Sequence, residues 1–179
     1  MRRHSTVLIV LALIAWPQVY TGPAAAGQHS EPPGGATEPL VIVVNRGNLV
    51  DDLSFAELRT IFLGDRSHWP DGRRITLVMR EPGEPERKAL LRDVCGMNEA
   101  QLKTHFLRGL FTGDILLSPK ILATPSGVKK FVFNVPGAIG YLRMSDMDAT
   151  VKDVRIDHLL PSEKGYRLHT QLQVANEGD

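Results

Sequence analysis

Apolar, β-branched residues run unbroken from Leu40 to Val44 and stop at Asn45-Arg46-Gly47, the pattern of a strand covered on both faces. The period then changes. Ser54 and Glu57 form a capping box ahead of Phe55, Leu58, Ile61 and Phe62 at helical spacing, and Gly64 stops that helix. A turn-rich loop from Asp65 to Arg74 leads into a second apolar run, Ile75 to Met79. Arg87 to Val94 reads as helix ended by Gly96, and Asn98 with Gln101 caps another whose stripe is Leu102, Phe106 and Leu110. Thr112 to Ala123 is irregular. Thr124-Pro125 opens a further helix, with Val128, Phe131, Val132 and Val135 facing inward until Pro136-Gly137 breaks it. Ala138 to Leu142 predicts a third buried strand and Val151 to Ile156 a fourth. This order predicts an α/β sandwich with a mainly parallel central sheet flanked by helices. There is no internal repeat.

The two ends read differently. Arg2, Arg3 and His4 precede an apolar run from Val7 to Trp16, and Ala24-Ala25-Ala26 offers small residues for cleavage. That is the layout of a signal peptide over residues 1–26, and the run is shorter than the roughly 20 residues a membrane span needs. The competing reading is an uncleaved anchor. No cysteine stands at the cleavage point for lipid attachment. Residues 27–38, rich in Pro, Gly and Ala, read as a disordered lead-in. One domain is then expected over 39–165, with a C-terminal tail over 166–179. The expected location is periplasmic or secreted, with no membrane insertion once the signal is removed.

Charge excludes some partners. Without Arg2 and Arg3, 19 Lys and Arg face 20 Asp and Glu, a net of −1. No broad attraction to nucleic acid or anionic lipid follows. The lone Cys95 cannot form an internal disulfide and reads as buried and inert. His68, His105, His158 and His169 are scattered without metal-ligand spacing, so neither a metal nor another cofactor is expected. No Gly-x-Ser-x-Gly elbow is present. Glu84 and Glu86 could form an acid/base pair, but two acids in a surface turn are ordinarily solvated, and no enzyme is expected. Asp65 to Trp69 with Arg73 and Arg74 reads as a turn whose Trp69 packs onto the domain; the functional alternative is a contact surface for a partner protein.

The remaining candidate is the turn Arg80-Glu81-Pro82-Gly83-Glu84-Pro85-Glu86-Arg87, which carries the second strand into a helix. Free N–H groups at such a helix start make an anion site. Glu84 and Glu86 stand there in place of hydroxyls and bare amides. Glu86 is also placed to satisfy the helix N-terminus, and Arg80 and Arg87 to pair with the two carboxylates.

Taken together, Leu53 to Gly64, Trp69, Asp71-Gly72, Ile75, Arg80 and Pro136-Gly137-Ala138-Ile139-Gly140-Tyr141 resemble the periplasmic phosphate-binding proteins of ABC transporters. The blocks keep their order over roughly Leu40 to Arg143. The resemblance implies a periplasmic-binding-protein-like lobe, with a small phosphate-like anion and a membrane transporter as partners. Complete members have two lobes; this chain is expected to hold one, leaving a ligand open to water. The family's ligand loop runs from an Arg through a Gly into Ser-Gly-Thr and another Arg. Arg80, Gly83 and Arg87 match, whereas Glu84, Pro85 and Glu86 replace the Ser, Gly and Thr. Pro85 removes a donor, and each Glu substitutes an acceptor for one. The ligand-binding candidates are therefore Arg80, Gly83, Glu84, Glu86 and Arg87. Two functions stay open: a solute-binding module for phosphate or another small anion, or an exported interaction or sensory module that has lost anion binding.

Overall fold

Leu40 to Val44 have no exposed surface, because the strand they form is packed on both sides. The structure, a computed structural model, describes residues 37–171. The expected signal peptide, the lead-in up to residue 36 and the chain from 172 onward lie outside them. The first strand, β1 (Thr37–Val44), sends Leu40, Ile42 and Val44 into one core cluster and Val41 and Val43 into the other. β3 (Thr76–Arg80) divides in the same way, with Leu77 and Met79 on the first face and Val78 on the second. β5 (Ala138–Arg143) follows, with Ile139 and Tyr141 opposite Ala138 and Leu142. A two-residue period with both faces apolar is what makes these runs look continuous in sequence.

The helices supply the two layers. On the first face lie α1 (Phe55–Phe62), α2 (Pro85–Leu90), which continues as a π-helical turn over Leu91–Cys95, and α3 (Glu99–Thr112). On the second lies α4 (Pro125–Asn134), through Val128 and Val132. Both predicted capping boxes form, at Ser54 with Glu57 and at Asn98 with Gln101, and Thr124 caps α4 with Pro125 in its first turn. The π-turn was not legible in sequence.

Strand order is β4-β3-β5-β1-β6, where β4 is Lys120–Leu122 and β6 is Lys152–Asp153; β8 (His169–Gln171) also pairs β1. The α/β architecture holds, but the expected mainly parallel centre is corrected to a mixed sheet. β3 is parallel to β4 and β5, whereas β1 is antiparallel to β5, β6 and β8. The cause is the connection after β1. Val44 and Leu77 both sit beside Ile139, so α1 and its loop return the chain at the edge where β1 ended, and β3 runs back. A parallel pair needs a crossover, and within the described central sheet the connections through α2–α3 and through α4 supply them.

Other boundaries differ from the sequence reading. The segment expected to form one fourth strand splits into β6 and β7 (Arg155–Ile156), the latter pairing in parallel with β2 (Asp52–Leu53). The irregular stretch before α4 contains the short β4. The sheet starts at Thr37, ahead of residue 39, and runs past residue 165, since Tyr166 and Leu168 are buried and β8 pairs β1.

Candidate functional site

The candidate turn lies where the parallel strands β3 and β5 end, the edge at which open α/β sheets place their ligands. Arg80 is the last residue of β3 and is buried. Its backbone N–H donates to Tyr141 Oη at 2.9 Å, which ties the turn to β5. Burial pushes the Tyr141 hydroxyl well above the usual phenol range, so it stays protonated. Gly83 reverses the chain at φ +96°, a conformation costly for other residues. Pro85 then starts α2 with its φ preset and with no N–H to leave unpaired.

The five candidate residues do gather around one strand end, but the charges pair differently from the expectation. Arg80 Nη2 donates to Glu84 Oε2 at 2.7 Å, and its Nη1 donates to the Leu122 carbonyl at 3.3 Å. That pairing is as expected. Arg87 is not paired with Glu86. Its Nε and Nη2 donate to the two oxygens of Glu99, at 2.7 and 2.8 Å, and its Nη1 donates to the Arg80 carbonyl at 2.8 Å. Glu86 and Arg87 are neighbours on the helix, pointing about 100° apart, and they take separate partners.

Glu86 departs furthest from its sequence reading. It is not a solvated turn residue but only 2% exposed, and it forms a close ion pair with Arg143 at the end of β5. Neither Glu86 nor Glu84 caps the helix: the helix start at Glu84 has no side-chain cap. Arg143 also lies 3.7 Å from Glu38, which accepts a hydrogen bond from Ser145 Oγ at 3.2 Å. Sequence reasoning missed Glu99, Arg143 and Glu38. Glu99 follows the Asn98 cap and reads as an ordinary first-turn acid; its partner is set by where α3 packs. Arg143 is the last residue of a strand read for its apolar face.

The guanidinium groups are thus engaged by the chain itself, Arg80 through Nη1 and Nη2 and Arg87 through Nε, Nη1 and Nη2, while the buried Arg80 Nε has no hydrogen-bond partner among the described residues. A carboxylate about 4 Å from an incoming anion opposes it by on the order of 4 kcal/mol at the effective dielectric of a protein surface.

The other candidates resolve simply. Trp69 is buried, and its Nε1 donates to the Gly137 carbonyl at 3.0 Å, so it packs onto the domain. Cys95 is buried, and burial pushes its thiol up to about 11, leaving no thiolate at neutral pH. His105 Nε2 lies 2.7 Å from the Leu63 carbonyl. Among the described residues no group of three or more His, Cys, Asp or Glu is placed to hold a metal, and no helix is long and apolar enough to cross a membrane.

The sequence matches no protein-family model. Solved structures do match. A candidate phosphate ABC transporter substrate-binding protein of Clostridium perfringens, solved with bound phosphate, superposes with a TM-score of 0.63 at 21% identity, over 76% of this chain and 54% of that one. An ABC-type phosphate transport receptor of Vibrio cholerae gives 0.62 at 20% identity, over 80% of this chain and 59% of its own. PstS of Borrelia burgdorferi gives 0.61 at 10% identity, over 76% and 56%. This chain thus spans little more than half the length of each. The likeness establishes the fold: a central sheet flanked by helices, as in a lobe of a periplasmic-binding-protein-like structure.

Proposed function

We propose that this chain is an exported, periplasmic-binding-protein-like module that engages another protein and does not carry a free oxyanion. One observation carries the reading: both arginines of the former cradle are held by the chain's own carboxylates, Arg80 by Glu84 and Arg87 by Glu99. Glu86, at the position where the resembled family has a Thr, adds a third negative group already committed to Arg143. Together these replace donors with acceptors and remove free positive charge. The proposed export rests on the signal-like layout of residues 1–26.

A second reading, a binding component for phosphate or another small anion working with a transporter, is favoured by the fold likeness to phosphate-binding proteins. Calorimetric titration separates the two. Phosphate, sulfate and small carboxylates at millimolar concentration are expected to give no heat; saturable heat with phosphate would overturn the interaction reading. The triple substitution Glu84→Ser, Pro85→Gly, Glu86→Thr restores donors at the helix start. It is expected to create measurable oxyanion binding if carboxylates are what blocks the site.

A further inference from the structure

We draw no further inference here: the strongest candidate, the apolar groove between α3 and β4 walled by Met79, Phe106, Leu107, Leu110 and Ile121, is an open face, and nothing in the structure shows what covers it.

Discussion

Arg87 and Glu99 form a bidentate pair, with Nε–Oε1 at 2.7 Å and Nη2–Oε2 at 2.8 Å, that fastens the start of α2 to the first turn of α3. The Arg87 side chain is 7% exposed and Glu99 38%, so the guanidinium depends on this carboxylate and on the Arg80 carbonyl for its partners. Glu99→Gln keeps the shape but removes the charge. It should cost about 1–3 kcal/mol, the worth of charge-assisted hydrogen bonds, read as a lower urea midpoint at unchanged slope. An unchanged midpoint would show that water replaces Glu99 and that the pair is not a fastening.

Glu86 and Arg143 give a stronger test, because the acid is almost fully buried. Arg143→Met leaves that carboxylate without its compensating charge and should cost about 3–5 kcal/mol. The double change Glu86→Leu with Arg143→Met removes both charges and should recover most of the loss. A double-mutant cycle by chemical denaturation measures the coupling directly. Additive losses would mean that the two side chains stabilise the fold independently.

Much of this fold was legible because its signals are local. The alternation in β1, the capping boxes at Ser54 and Asn98 and the breaks at Gly64 and Gly96 each depend on a few neighbouring residues. β4 escaped because Lys120–Leu122 is short and lies on an edge, with only Leu122 partly buried against the core. β8 escaped for the same reason of length. The candidate site was found in place but not in pairing. Arg80 with Glu84 is a contact within one turn, whereas Arg87 with Glu99 and Glu86 with Arg143 depend on how α3 and β5 pack. Spacing along the chain carries no information about those distances.

Cys95 sets a pH dependence on the alkaline side. Its ordinary value of 9.0 is raised by burial to about 11 in the folded chain. Below about pH 9 both states hold the proton and the thiol adds no pH dependence. Between 9 and 11 the unfolded thiol ionises first, so stability falls with rising pH, and the loss levels off once the folded thiol also ionises. The window implies about 2–3 kcal/mol. Cys95→Ala should flatten the fall measured by urea unfolding across this range. The buried Tyr141 and Tyr166 hydroxyls, also raised by burial, act in the same direction in both proteins, so the difference reports the thiol together with its charge effect on Tyr141.

Gly137 and Gly83 are both glycines of recognisable turns, yet substitution should separate them. A Cβ on Gly137 would lie 2.1 Å from the Arg74 carbonyl oxygen, a backbone atom that no rotamer change can move. The Gly137 carbonyl accepts from Thr76 N–H at 3.0 Å and from Trp69 Nε1 at 3.0 Å. Displacing Gly137 to relieve the clash therefore strains the entry of β3 and the seat of Trp69 together. Gly137→Ala should cost about 3 kcal/mol or more, the upper end for overpacking. A Cβ on Gly83 would meet nothing within 4 Å, so its cost comes only from φ +96°. Gly83→Ala should therefore lose about 1–2 kcal/mol and leave Trp69 fluorescence unchanged, since the strain stays in the turn. If Gly137→Ala were the milder change, the contact between the start of β5 and the loop before β3 would not be what holds Trp69 in the core.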